Sequence, residues 1–249
     1  MSRGWLLAAW LVWPALAGAG EPELRATPGH RMRYLVSRPT GWKAGAHYPV
    51  VVAIDAAQRE FRGNLAAFVA ARGERPFIVV APFVVTGGGA RYRESEAYPY
   101  DEADWKAVTD AGPFAFDEAG VRAMLDDVVK RDGGEPRAYL TGWEAGGHTV
   151  WALLFRHPDW WAAVAPVTTN YLGRWLDEAA FSKDPSRARL PVHVLMVAEA
   201  KLSPLQTQTE EAIRVARAHG FGAVTLAEVR DRPHGPLAPE VMAWFASLR

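Results

Sequence analysis

Two runs in this chain, residues 48–54 (YPVVVAI) and 77–81 (FIVVA), are continuous apolar, β-branched stretches with no polar residue alternating between them. Strands that read this way are buried on both faces, which is the habit of a parallel sheet covered by helices. Further strand-like runs fall at 137–141 (RAYLT), 161–167, 191–197 (PVHVLMV) and 223–229. Residues 31–37 alternate polar and apolar and read as an early edge strand. Helical segments lie between the runs. The clearest is 117–131, where Val121, Met124, Leu125, Val128 and Val129 share one face and Asp117 and Glu118 occupy the first turn. Others are predicted at 61–71, at 146–155, from a Ser203-Pro204 cap to His219, and at 239–248. Residues 85–113 have few periodic apolar positions and include Gly87-Gly88-Gly89, so they are expected to form a long loop that borders a site or is mobile. A strand–helix alternation without repeats or linkers implies one α/β domain: a doubly wound, mostly parallel sheet with helices on both faces.

At 249 residues the chain is long enough to bury a full core. Lys and Arg together number 28, as do Asp and Glu, so there is no electrostatic argument for nucleic acid or an anionic membrane as partner. Cysteine is absent, which removes disulfides, thiolate metal sites and cysteine nucleophiles from consideration. The first nineteen residues read as an address. Arg3 is followed by an apolar stretch over 5–16, too short to span a bilayer, and then by the small-residue pattern Ala17-Gly18-Ala19. The expectation is a signal peptide over 1–19, cleavage near Ala19, and a secreted or periplasmic domain over 20–249 with no membrane span. Losing Arg3 leaves the charge within one unit of neutral.

The chemistry concentrates where the strand 137–141 runs into Gly142-Trp143-Glu144-Ala145-Gly146 and then a helix. Strand, sharp turn and helix form the context of a nucleophile elbow, in which small flanking residues let a strained central residue sit at the tip. The central residue here is Glu144. The sequence closes with Arg232-Pro233-His234-Gly235 before the last helix.

On this elbow and this late histidine, the chain resembles the α/β-hydrolase superfamily. It is most similar to secreted polyhydroxyalkanoate-depolymerase-like and feruloyl-esterase-like serine esterases, whose elbows often read G-W-S-A-G-G. The resemblance covers residues 48–248 and implies the α/β-hydrolase fold. It also assigns positions: Glu144 stands at the nucleophile, His234 at the base, and Lys201, in Ala198-Glu199-Ala200-Lys201, at the acid. Asp55-Ala56 stands in the oxyanion loop, with the Ala145 N–H as the other oxyanion donor and Trp143 beside the pocket. The histidine is kept, the nucleophile is changed and the acid is reversed in sign.

A carboxylate at the elbow has no proton to give, so ordinary serine acyl transfer is lost. The seven serines offer no second elbow: Ser2, Ser37, Ser95, Ser182, Ser186, Ser203 and Ser247, of which only Ser95, in the long loop, is not dismissed by position. Three readings remain open. Glu144 is an inert ion-pair partner of His234, its carboxyl held low and folded onto amides such as Ala145 N–H. Alternatively the pocket binds a small-molecule or polymer ester-like ligand, or a protein partner of unknown identity. In the third reading Glu144 acts as carboxylate nucleophile or general base with His234. Glu144 and His148, four apart, offer only two metal ligands, so no metal and no cofactor is predicted. Trp143, Trp151, Trp160, Trp161 and Trp175 are expected to divide between core and cavity wall, and His193 is expected in the core. Arg91, Tyr92, Arg93 and Lys106 read as solvated loop residues.

Overall fold

The computed structural model describes residues 22–87, 96–174, 176–199 and 202–249. The apolar runs form an eight-stranded sheet. In chain order the strands are β1 (Glu23–Ala26), β2 (Arg33–Ser37), β3 (Val50–Ile54), β4 (Ile78–Pro82), β5 (Ala138–Glu144), β6 (Trp161–Thr169), β7 (Val192–Val197) and β8 (Val224–Val229). Their order across the sheet is β1-β2-β4-β3-β5-β6-β7-β8. β1 and β2 are antiparallel to their neighbours, and every pair from β4 to β8 is parallel. All five residues of β3 and of β4 are buried, as their unbroken β-branched composition requires. The helices are α1 (Phe61–Arg72), α2 (Glu102–Ala111), α3 (Pro113–Asp132), α4 (Gly147–Arg156), α5 (Ser203–Ala218) and α6 (Ala238–Ser247). They cover both faces of the sheet, with α1 packed on α6 and both α4 and α5 on β6. Among the described residues no helix is long and apolar enough to cross a membrane.

Several local expectations are corrected. The edge strand is β1, not the 31–37 segment: β2 lies one strand in and is almost wholly buried. β1 (ELRA) has no apolar pattern to betray it. Its register is fixed instead by Arg25, 3% exposed, whose guanidinium donates to the buried Asp132 at the end of α3 (2.5 Å), with Arg38 donating to the same carboxylate (2.7 Å).

The expected long loop contains α2. Its start is a capping box: Asp104 N–H donates to Asp101 (2.9 Å) and Asp101 N–H donates back to the Asp104 carboxylate (3.2 Å). Lys106 lies in this helix, paired with Asp110. α3 begins at Pro113, so Asp117 is not a first-turn residue; it is fully buried. Ser203 is the first residue of α5, whose cap position is Leu202 and has no side-chain hydrogen bond. Trp151 and Trp161 are core, Trp143 and Trp160 are partly buried, and His193 is half-exposed, bonded to Thr225 and packed on Trp244. Lys201, Trp175, Ser95, Gly88, Gly89, Arg91, Tyr92, Arg93 and the 1–19 segment lie outside the described residues.

Candidate functional site

Glu144 ends β5, at the C-terminal edge of the central parallel strands, where open α/β sheets bind ligands. Its φ is +47°, a left-handed conformation that a residue with a Cβ adopts only when its surroundings force it. The surroundings are three glycines. A Cβ on Gly142 would lie 2.7 Å from Val150 Cγ2 and 2.9 Å from Ile54 Cβ. On Gly146 it would lie 2.5 Å from the Asp55 carbonyl oxygen, and on Gly147 2.3 Å from Thr169 Cβ. Strand, turn and helix therefore approach more closely than any side chain would permit. Gly146 N–H donates to Trp143 C=O (2.9 Å), and Asn170 N–H donates to Glu144 C=O (2.8 Å), which ties the tip to the end of β6. This is a tight strand–turn–helix elbow, and a glutamate occupies its tip.

The structure brings Glu144 and His234 together. Glu144 Oε2 lies 3.8 Å from His234 Nε2, and both side chains are about four-fifths buried. Gln58, in the loop after β3, donates to the same Oε2 at 3.0 Å. Sequence reasoning missed Gln58; its signal was a lone amide two residues beyond the Asp55-Ala56 pair. Among the described residues the carboxylate takes its hydrogen bond from Gln58 and none from Ala145 N–H, so the expected fold-back onto the oxyanion amides is not seen. The neighbouring His234, and then Gln58, hold the Glu144 carboxyl below its usual range, against an opposing effect of burial. Neither ring nitrogen of His234 has a hydrogen-bond partner among the described residues. Its ring meets the Trp143 indole edge-on at 5.3 Å, and the Trp143 N–H is likewise buried and unpartnered.

Asp55 is 2% exposed at the end of β3, and its Oδ2 has no partner. Burial pushes its carboxyl up to about 6, helped by the charge of Glu60, while the backbone amides of Ala56 and Glu60 favour the charged form. Ala56 is buried beside it. His148, on the first turn of α4, is a buried neutral ring, its pKa lowered to about 4 by burial and further by the charge of Arg174.

The segment after β4 closes the site from the side. Asp117 accepts from Val85 N–H (2.9 Å), Thr86 N–H (2.8 Å) and Thr86 O–H (2.6 Å). Thr86 in turn meets Thr149 of α4 at 2.5 Å. Gly87 then packs so tightly that a Cβ there would lie 3.3 Å from Asp55 O and 3.5 Å from Gly146 Cα.

The low Glu144 carboxyl has a consequence for stability. A carboxyl depressed in the folded state contributes stability above its unfolded pKa and loses it as pH falls through the folded value. Glu144→Gln is therefore expected to flatten acid sensitivity below about pH 4.5, modestly because the pair is partly solvated. Urea midpoints at pH 7 and pH 3 for both proteins measure this, and parallel losses would contradict the pairing.

No protein-family model matches the sequence, and no curated protein matches it. Solved structures do. A poly(3-hydroxybutyrate) depolymerase, LpqC, from Bordetella parapertussis superposes with a TM-score of 0.62 at 18% identity, over 94% of this chain and 90% of that one. Poly(aspartic acid) hydrolase-1 from Sphingomonas sp. KT-1 gives 0.61 at 17%, over 92% and 97%. An S-formylglutathione hydrolase from Agrobacterium tumefaciens gives 0.58 at 14%, over 91% of each. With the strand order, the elbow and the late histidine already in place, these superpositions establish that the chain has the α/β-hydrolase fold.

Proposed function

We propose that this protein is a pseudo-hydrolase of esterase or depolymerase ancestry, exported by its 1–19 leader, whose elbow site binds a ligand or partner and no longer turns over esters. The observation that carries the reading is the identity of the elbow tip. Glu144, at φ +47°, is charged, bonded to Gln58 and 3.8 Å from His234. Serine acyl transfer needs a hydroxyl that gives His its proton and an oxyanion hole beside it. Glu144 has no such proton. Asp55 adds a second carboxylate to the loop where an oxyanion donor is expected. Loss of the nucleophile alone costs about 10⁶ in turnover in the serine-protease template.

A second reading is favoured by one feature. Glu144 and His234 are in contact and both His234 nitrogens are unpartnered, so the carboxylate could attack, or act as general base, on an ester-like substrate.

Hydrolysis of p-nitrophenyl acetate and butyrate separates the two. Wild type and Glu144→Gln are expected to be equally inactive. Turnover is expected to emerge with Glu144→Ser and to grow when Lys201→Asp is added. Wild-type turnover that vanishes in Glu144→Gln would overturn the pseudo-hydrolase reading in favour of the carboxylate enzyme.

A further inference from the structure

Five residues other than glycine have positive φ among the described residues: Arg59, Glu144, Thr168, Asp231 and Leu237. Glu144 is the elbow tip. Thr168 receives Val197 N–H at the end of β6, and Asp231 and Leu237 flank the turn that carries His234. Arg59, at φ +59°, has no role in that machinery. Nothing in its turn demands an arginine: Arg59 N–H donates to Ala56 C=O (3.2 Å), which glycine would do as well without strain. A strained residue kept where glycine would serve directs attention to its side chain.

That side chain lines a cavity of about 480 Å³ between the loop after β3 and the segment before α2. Its Nε is buried with no hydrogen-bond partner, and the guanidinium lies beside Tyr98. Part of the cavity wall is apolar and aromatic. Phe61 and Phe83 pack at 4.5 Å between ring centres, with Pro99 and Leu24 completing the apolar surface, and Tyr98 backs Phe61 from behind the wall at 5.2 Å. Arg62 adds a second cation. Glu60 and Glu96 also line the space and are exposed. The cavity opens at the same C-terminal sheet edge as the elbow, and the residue before Arg59 is Gln58, which holds Glu144.

We propose that this cavity is a binding subsite for a carboxylate on an apolar or aromatic body, with Arg59 as the group that receives the carboxylate. The planar fork of a guanidinium matches a planar carboxylate two atoms to two. The aromatic wall takes the body of the ligand, as in most small-molecule sites, whose volumes run from about 300 to 1,000 Å³. The two glutamates offset the two arginines, so the lining has no excess positive charge to draw in a dianion such as phosphate, and the carboxylate is held by its planar contact with Arg59. The subsite is independent of any chemistry at Glu144 and stands whether or not the elbow is catalytic.

The test uses the mature protein and two probes of equal shape, N-acetyl-L-phenylalanine and its uncharged amide, followed by calorimetric titration. The carboxylate is expected to bind at least tenfold more tightly than the amide. Arg59→Gly is expected to abolish that preference while keeping or raising the thermal midpoint, because it relieves the positive φ. Arg59→Lys, which keeps the charge and loses the planar fork, should retain part of the preference. Equal binding of the two probes, no saturable binding of either, a preference that survives Arg59→Gly, or displacement of the carboxylate by equimolar inorganic phosphate would each overturn the proposal. A midpoint that falls in Arg59→Gly together with lost binding would assign Arg59 to the turn instead of the ligand.

Discussion

Asp117→Ala is expected to destabilise the protein by about 3 kcal/mol, because it strips acceptors from three buried donors at once. Val85 N–H, Thr86 N–H and Thr86 O–H all point at this carboxylate, which is wholly inaccessible to water. For a chain of this size the loss corresponds to a fall of about 6–12 °C in thermal midpoint. The effect should also reach the elbow, since Val85–Gly87 is what packs against Asp55 and Gly146. Burial pushes the Asp117 carboxyl up to about 7, although its three donors favour the charge. The sign follows from that direction. A carboxyl raised in the folded state contributes stability that is complete below its unfolded value near 4 and is lost as pH rises toward 7. Tyr98 and Tyr100 face it from the segment before α2 and remain neutral across this window, their own phenols raised by burial. Relative to Asp117→Asn, wild type should therefore lose stability between pH 4 and pH 7. Urea unfolding across that range decides the matter. A constant difference would show that the carboxyl does not titrate there, and a midpoint within 2 °C of wild type for Asp117→Ala would remove its anchoring role.

The second large effect is steric. Gly147→Ala places a Cβ 2.3 Å from Thr169 Cβ and 2.9 Å from Asn170 O, both at the end of β6. Neither neighbour is the free end of a flexible chain, so α4 must move off the sheet. Overpacking of this kind costs about 1–3 kcal/mol, and the upper end is expected because the clash is with Cβ and backbone. Gly146→Ala meets the Asp55 carbonyl oxygen at 2.5 Å and should behave alike. The pair can be read by urea midpoint together with Trp143 fluorescence, since Trp143 precedes the tip and borders His234. Variants that unfold with wild-type midpoints and unchanged emission would show that the elbow is looser than its contacts imply. Together these substitutions test whether the strained φ of Glu144 is imposed by packing or is a local choice.

Much of this architecture is legible in the chain because parallel strands buried on both faces leave continuous β-branched runs, as in β3 and β4. The elbow was readable for a related reason: only glycine fits at 142, 146 and 147, so the motif records a steric demand. What stayed hidden was held by polar contacts distant in sequence. β1 carries no apolar signature, since Arg25 earns its burial through Asp132, 107 residues away. α2 buries little apolar surface, Val108 being its one buried apolar residue, and its clearest mark was the Asp101–Asp104 capping box, which is short and easily passed over. Asp117 looked like a dipole-stabilising first-turn carboxylate because the apolar periodicity was read from Val121, and the Gly112-Pro113 start, a proline in the first turn, lies ahead of that pattern. Gln58 was marked only by being a lone amide two residues past Asp55-Ala56; its importance arises when the loop after β3 folds over the elbow tip.

The clamp between β1 and α3 also sets an order of events. A chain made from its N-terminus carries Arg25 long before Asp132 exists, and the two cannot meet until the strands between them have found their places. Until then the guanidinium destined for the interior remains in water, although β1 and β2, adjacent in sequence, can already pair. The outermost strand at this side of the sheet thus gains its buried ion pair only once α3 is complete.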